Sequence, residues 1–154
     1  ETTLITAQVE SLTENLEEMK PLFPMHWKEL ALDQEYVPLD PQYDIYLTRD
    51  ARGEVVFITL RNRGELVGYF VGFIAPGLHY RTCLTCTMDI FYLHPDHRGM
   101  RGGVKLFRAV EIEARRRGVQ RWFVGSKCHK DASVLFEYLG FEKVETYYSK
   151  WLGD

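Results

Sequence analysis

The stretch from Thr82 to Arg117 constrains the fold of this chain more than any other part of the sequence. Residues 82–93 are rich in β-branched and aromatic side chains and therefore predict a long strand. The run Arg98-Gly99-Met100-Arg101-Gly102-Gly103 follows, and residues 104–117 carry apolar side chains at helical spacing before Gly118. The sequence thus predicts a strand, a glycine-containing turn and a helix in succession.

The elements on both sides of this unit indicate an α/β or α+β class with one mixed sheet. Helical spacing dominates before residue 54, and β-rich segments dominate after it. No repeat or linker interrupts the sequence, so we expect one domain over residues 1–154. The predicted helices cover 7–19, 26–32, 40–53, 104–117 and 131–139, and the predicted strands cover 55–60, 66–74, 82–93, 120–126 and 144–152. Tyr43, Ile45 and Leu47 also alternate as in a strand, which is the alternative for 40–53.

Composition excludes several classes of protein. Hydrophobic residues make up 45% and aromatic residues 14%, which is too apolar for a disordered chain. The longest apolar run, around 67–76, is about half of the roughly twenty residues that cross a bilayer. Three cysteines do not form a disulfide framework, and no signal-peptide pattern opens the sequence. We therefore expect a cytoplasmic protein without a membrane partner.

The charges are distributed unevenly, although the net charge is only −3. Residues 1–47 hold ten acidic and two basic side chains, whereas residues 98–130 hold ten basic and two acidic ones. This division predicts one surface for an anionic ligand and another for a cationic ligand. The alternative, that both regions are simply solvated helix surfaces, stays equally open at this point.

The glycine-containing turn also predicts an anion site, because the first N–H groups of a helix lack partners and lie at its positive dipole end. Glycine permits close approach of phosphate oxygens, and Arg98, Arg101 and Lys105 add positive charge. The turn contains neither the G-x-G-x-x-G dinucleotide pattern nor a Gly-Lys-Ser/Thr phosphate loop. A purely conformational role of the glycines is the alternative.

Two motifs carry a resemblance to a known family. Residues 92–106 resemble the acetyl-coenzyme A loop of the GCN5-related N-acetyltransferase (GNAT) superfamily, whose pattern is Q/R-x-x-G/A-x-G/A. Arg98 and Gly103 occupy its outer positions, whereas Arg101 replaces the middle small residue. Residues 132–141, Ala-Ser-Val-Leu-Phe-Glu-Tyr-Leu-Gly-Phe, resemble the family's A-x-x-L-Y-E-K-L-G-F helix and strand. The finer pattern, which includes His26-Trp27, Gly68-Tyr69 and the closing Tyr148-Ser149-Lys150, is similar to that of small phage-encoded members.

The resemblance implies N-terminal helices, flanking helices and a mostly antiparallel sheet that splays at its fourth strand. It implies acetyl-coenzyme A (acetyl-CoA) as co-substrate, with the pyrophosphate on the amides of residues 98–104 and the pantetheine arm beside residues 91–93. The residues implied to bind it are Phe91, Tyr92, Leu93, Arg98, Gly99, Met100, Arg101, Gly102, Gly103, Val104, His129 and Phe136.

The resemblance also implies that a primary amine attacks the thioester directly, so that positioning and a base do most of the work. Asp89 is the only acid between Glu65 and Asp96 and is the candidate catalytic base, acting through a water molecule. A structural carboxylate is the alternative. Many family members protonate the leaving thiolate with a tyrosine where this chain has Phe136, so water or another hydroxyl such as Tyr148 would serve here.

The acidic N-terminal part predicts a cationic acceptor, either a small-molecule amine or a peptide, with Glu29 and Glu35 nearest to it. No metal is expected, because Cys83 and Cys86 point to opposite faces of a strand. The basic helix lacks interleaved aromatic residues, so we expect no nucleic-acid partner. A homodimer is left open. The competing function is a degenerate GNAT domain that binds coenzyme A or a protein partner without turnover.

Overall fold

The fold is built on one five-stranded sheet. The computed structural model describes residues 4–153. The strands lie side by side in chain order, and the first three pairings are antiparallel while the last is parallel. This mixed sheet, with helices on both faces, confirms the predicted fold class. The strands are β1 (Ile5–Val9), β2 (Val55–Asn62), β3 (Glu65–Gly77), β4 (Tyr80–Leu93) and β5 (Arg121–Phe123).

The helices begin and end where local residues favour it. Ser11 precedes α1 (Leu12–Met19), and its hydroxyl accepts a hydrogen bond from the Glu14 amide at 3.1 Å. The long helix α4 (Met100–Arg116) ends before Gly118, whose φ of 85° suits a residue without a side chain. The other helices are α2 (Phe23–Leu30), α3 (Tyr43–Ala51) and α5 (Ser133–Tyr138), and 3₁₀ turns cover Lys20–Leu22 and Pro95–His97.

Each face of the sheet carries its own buried cluster. On one face α4 and α5 pack against the central strands, with Leu106, Phe107 and Phe136 buried there. On the other face α1, α2 and α3 cover the same strands, with Leu12 and Met19 fully buried. The two clusters establish which side chains of β4 face which helices.

The alternation of β4 changes at Asp89. Opposite β3, Val71 pairs with Ile90 and Gly72 pairs with Met88, so Asp89 is one extra residue and forms a β-bulge. Met88 packs on the α4 side of the sheet, whereas Ile90 packs on the α1–α3 side. Asp89 contacts α3, so Asp89 and Ile90 project on the same side. The bulge therefore directs an acid toward α3 without displacing the apolar residues on either side of it.

The helix predicted over 7–19 is wrong in its first part. Residues Ile5–Val9 form β1 and pair antiparallel with residues Asn62 to Ile58 of β2. Pairing with a distant strand satisfies this backbone and outweighs the local helical spacing, which holds only from Leu12 onward. The helix predicted to start at residue 104 begins at Met100, so the last two glycines of the turn lie inside its first turn.

The strand predicted over 144–152 is also wrong. Residues 141–153 form no regular secondary structure, and the side chains of Val144, Tyr147 and Leu152 are exposed. The sheet of the described residues ends at β5, which is three residues long, and no strand pairs with the alternating C-terminal residues. Trp151 instead stacks on Tyr36, with ring centroids 5.1 Å apart.

Candidate active site

The sheet divides between β4 and β5. Their parallel pairing runs from Thr85–Arg121 to Thr87–Phe123 and stops there. β4 continues for six further residues, Met88 to Leu93, and no strand among residues 4–153 pairs with it on that side. The side chains of Phe91 and Leu93 belong to the cluster under α4, whereas Tyr92 belongs to the opposite cluster. The predicted cofactor segment 91–93 therefore offers its backbone edge at the split.

The start of α4 has no side-chain cap. Gly99 is the N-cap residue with a φ of 130°, and its missing side chain leaves the first-turn amides without an acceptor of that kind. The Gly103 amide donates to the Gly99 carbonyl at 3.4 Å, so the amides that precede it on α4 point outward at the positive end of the dipole. Met100 and Arg101 are exposed there. This geometry suits an anion.

A side chain at two of the glycines in this turn would meet neighbouring atoms. A Cβ atom on Gly102 would lie 2.8 Å from the backbone carbonyl oxygen of His97, which has little freedom to move. A Cβ atom on Gly103 would lie 2.8 Å from Cδ2 of Leu135 in α5. Neither residue has a positive φ, so limited space for a side chain favours glycine at these two positions, whereas the positive φ of Gly99 gives that residue a conformational role. Both are compatible with a ligand at the outer side of the turn.

Arg98 faces inward rather than toward the outer side of the turn. Its Nε donates to the Leu93 carbonyl at 2.8 Å, and its two terminal nitrogens bind both carboxylate oxygens of Glu29 at 2.6 and 2.7 Å. Lys130 lies 3.3 Å from the same carboxylate. The Arg98 hydrogen bonds lower the pKa of Glu29 to about 2, and the Lys130 contact acts in the same direction. These contacts fasten α2 to the turn before α4.

The two acids predicted to lie nearest to the acceptor amine have different surroundings. Glu29 is held by two cations, whereas Glu35 lies exposed in the turn between α2 and α3. Other acids of the N-terminal region are also paired, because Arg61 binds both Glu10 and Glu18 at 2.8 Å. The acidic region therefore attracts a cationic ligand less strongly than its formal charge suggests.

The candidate base Asp89 has a hydrogen-bond donor that the sequence did not reveal. The Tyr46 hydroxyl of α3 donates to its carboxylate. Desolvation by the surrounding protein atoms raises the pKa of Asp89. The hydrogen bond from Tyr46 and the charge of Arg49 oppose that shift. The Asp89 side chain nevertheless stays accessible to solvent. Burial raises the pKa of Tyr46, and its bond to Asp89 adds to the effect, so Tyr46 is a neutral phenol at neutral pH.

The remaining predicted residues lie at different depths. Phe136 is buried, and its ring centroid lies 6.2 Å from that of Phe91 and 5.4 Å from that of Phe107. His129 is exposed in the loop before α5. Tyr148 is 94% exposed, so it does not supply a buried hydroxyl beside the split. Phe136 has no hydroxyl, so it cannot protonate a leaving group.

A buried histidine beside the site was not predicted. His26 of α2 is 7% exposed, and its Nδ1 lies 3.0 Å from the Tyr69 hydroxyl. Its ring centroid is 5.0 Å from that of Tyr92. Burial lowers the pKa of His26 to about 4, so the ring is neutral at neutral pH. In the sequence, only the position of His26 within an apolar helical segment indicates that it is buried.

Two further properties concern metals and membranes. Among residues 4–153, no group of three or more His, Cys, Asp or Glu side chains is arranged to hold a metal ion. Within the same described range, none of the helices has the length and apolar character that crossing a membrane demands. Cys86 is buried in the core, Cys83 is half-buried and Cys128 is exposed.

The split sheet, the uncapped start of α4 and the carboxylate at the bulge together define the architecture expected of an acyl-coenzyme A-dependent transferase. The model of the Acetyltransferase (GNAT) family matches residues 14–141. The chain belongs to this family.

Solved structures show the same fold. A GCN5-related N-acetyltransferase from Ralstonia eutropha JMP134 has a TM-score of 0.76 at 17% identity, covering 97% of this chain and 99% of that one. The ribosomal-protein-alanine N-acetyltransferase of Brucella melitensis biovar Abortus 2308 has a TM-score of 0.71 at 18% identity, with the same coverage. A predicted acetyltransferase from Clostridium acetobutylicum, solved with acetyl-CoA, has a TM-score of 0.68 at 11% identity, covering 97% of each chain. A comparison with curated proteins finds no significant match.

Proposed function

We propose that this chain transfers an acetyl group from acetyl-CoA to a primary amine by direct attack of the amine on the thioester. The observation that carries the proposal is the position of Asp89, which lies at the bulge two residues beyond the last β4–β5 pair. A carboxylate there adjoins both the open strand edge and the helices of the opposite face. Family membership supports the acetyl donor.

The residues around the split fit acetyl-CoA, which supplies the reactive thioester. The outward amides at the start of α4 suit its pyrophosphate, and exposed Arg101 lies beside them with a further positive charge. The backbone edge of residues 91–93 suits an amide-containing arm that pairs like a strand. Arg98 supports this arrangement indirectly by holding the strand end, the turn and α2 together.

Asp89 and Tyr46 form a path for the proton of the acceptor. Tyr46 is neutral and donates to Asp89, so it passes its own proton to the carboxylate as it takes one from the acceptor ammonium. The freed amine forms the N–C bond to the acetyl carbon, the C–S bond breaks, and the new amide nitrogen releases its second proton to water. Coenzyme A leaves as a thiolate that water protonates, since Phe136 has no hydroxyl. This path replaces the bridging water expected from the sequence.

Two measurements test the proposal. Acetyl-CoA raises the melting temperature of the chain, and free thiol appears when a panel of primary amines is added with acetyl-CoA. Asp89→Asn abolishes most of the thiol release but keeps the thermal shift, whereas the control Glu65→Gln, at the exposed start of β3, changes neither.

The outcomes separate the competing function. A thermal shift without thiol release from any amine supports a domain that binds coenzyme A without turnover. Absence of a shift at about millimolar acetyl-CoA contradicts both versions. The cytoplasmic location, the likeness to phage-encoded members and a homodimer stay predictions.

A further inference from the structure

A cleft of about 380 Å³ lies against α3 on the face opposite α4. Small-ligand pockets span roughly 300–1,000 Å³, so this cleft has room for one small molecule rather than for a folded partner. Its walls combine apolar and aromatic groups with two opposite charges. The lining residues are Asp40, Pro41, Gln42, Ile45, Tyr46, Arg49 and Phe73.

The cleft adjoins the proposed proton path. Tyr46 is one of its walls, and the hydroxyl of the same residue donates to Asp89. Phe73 forms the floor beside it, with ring centroids of Tyr46 and Phe73 5.6 Å apart. A ligand in this cleft therefore contacts the residue that hands a proton to Asp89.

Arg49 is the cation of the cleft. Its guanidinium carbon lies 4.5 Å from the Phe73 ring centroid, so the cation contacts the face of an aromatic ring. Among residues 4–153, no carboxylate forms an ion pair with Arg49. Arg49 is exposed and lines the cleft, and its guanidinium donates no hydrogen bond to another side chain among the described residues. A guanidinium placed in this way is available for bidentate binding of a carboxylate.

Asp40 is the only other charged residue in this lining, and it lies exposed on the loop before α3. No ion pair joins Asp40 to Arg49 in the described part of the chain, so the two charges are presented separately. One cleft thus offers a negative group, a positive group and an apolar floor. This combination is complementary to a small molecule that carries both an ammonium and a carboxylate.

We infer that the acceptor is a small amine that also bears a carboxylate, such as an amino acid with an apolar or aromatic side chain. Arg49 binds the carboxylate, Ile45 and Phe73 contact the side chain, and the amine lies toward the Tyr46 hydroxyl. Asp40 favours entry of the ammonium. This inference rests on the proposed acetyl transfer and differs from the purely cationic acceptor expected from the sequence.

Three matched acceptors test the inference: L-phenylalanine, its amide and phenethylamine share one ring and amine but differ at the carboxylate. The Michaelis constant for L-phenylalanine is expected to be at least about tenfold lower than for the other two, the usual effect of a charged hydrogen bond. Arg49→Gln removes this preference, because it raises that constant about tenfold and leaves the other two unchanged. Arg52→Gln, outside the cleft, keeps the preference.

Calorimetry of L-phenylalanine binding to the chain with coenzyme A gives a readout that does not depend on turnover. If binding is seen and Arg49→Gln weakens it about tenfold but no amine is acetylated, the cleft still binds a carboxylate-bearing amine, and it is the proposed acetyl transfer that fails. Equal constants for the three amines overturn the inference while the proposed function stands. It is equally overturned if Arg49→Gln slows all three amines alike, since Arg49 would then act only on Asp89, or if no binding is detected.

Discussion

Mild acid should destabilise this protein through one buried histidine. His26 is neutral inside the α1–α3 face, with a pKa of about 4 against an ordinary value of 6.5. As the pH falls below 6.5, the unfolded chain binds a proton at this residue and the native chain does not. Stability contributed by His26 is therefore fully present above pH 6.5 and is lost progressively as the pH falls toward 4.

The magnitude follows from the width of that window. One pKa unit corresponds to about 1.4 kcal/mol, so the whole shift of about 2.5 units corresponds to roughly 3 kcal/mol. Between about pH 7 and pH 5 the expected loss in the free energy of unfolding is about 2 kcal/mol. Acids such as Glu10 and Glu29, whose pKa values are lowered, lose their contribution only below their ordinary value of 4.5. Asp89, whose pKa is raised, acts in the opposite direction, so the comparison of the wild type with a His26 variant isolates the histidine.

Urea denaturation at about pH 7 and about pH 5 measures this difference. His26→Gln, which cannot be protonated, removes most of the loss between the two pH values. The control His79→Gln, at an exposed position after β3, retains it. The reasoning is refuted if the wild-type chain loses less than about 0.5 kcal/mol, or if His26→Gln loses as much as the wild type.

Three further outcomes are expected around the split. Asp89→Asn lowers kcat by roughly a hundredfold and leaves the dissociation constant of acetyl-CoA unchanged in calorimetry, and equal kcat values would remove Asp89 from the mechanism. The rate of the wild-type enzyme rises with pH as Asp89 loses its proton, with an apparent pKa above the ordinary 3.8 because nearby protein atoms desolvate the carboxylate, and a steady-state profile that is flat from pH 3.8 upward contradicts that direction of shift. Gly102→Ala lowers the free energy of unfolding by about 1–3 kcal/mol, since its Cβ meets the rigid His97 carbonyl. Gly103→Ala changes it by less than about 1 kcal/mol, because Leu135 can rotate, and urea titration of the pair decides.

Local patterns predicted the central unit of the fold well. The strand, turn and helix from residue 80 to 116 follow from side chains that are near neighbours in sequence. Asp89 is recognisable in the sequence as an isolated acid in an apolar strand. β1 escaped prediction because its pairing partner, β2, lies about fifty residues away. Strand pairing over such a distance leaves no periodic signal in the segment itself.

The site was less predictable because its contacts join distant residues. Tyr46 and Asp89 are 43 positions apart, and Glu29 and Arg98 are 69 positions apart. Composition showed that the N-terminal region is acidic and the turn basic, but it did not show that Glu29 neutralises Arg98. An acidic region and a basic turn in one chain can attract each other as well as a ligand, and the sequence alone does not distinguish the two cases.

The bulge in β4 makes folding and chemistry separable at a single position. Cys86 and Met88 face α4 before the bulge, and Phe91 and Leu93 face it afterwards. A strand that lacked Asp89 would alternate regularly and still send each of these four side chains to the same cluster. One inserted codon is thus enough to add the proposed base to a regularly alternating strand, and its deletion is enough to remove it. Evolution can gain or lose this centre without redesigning either hydrophobic layer.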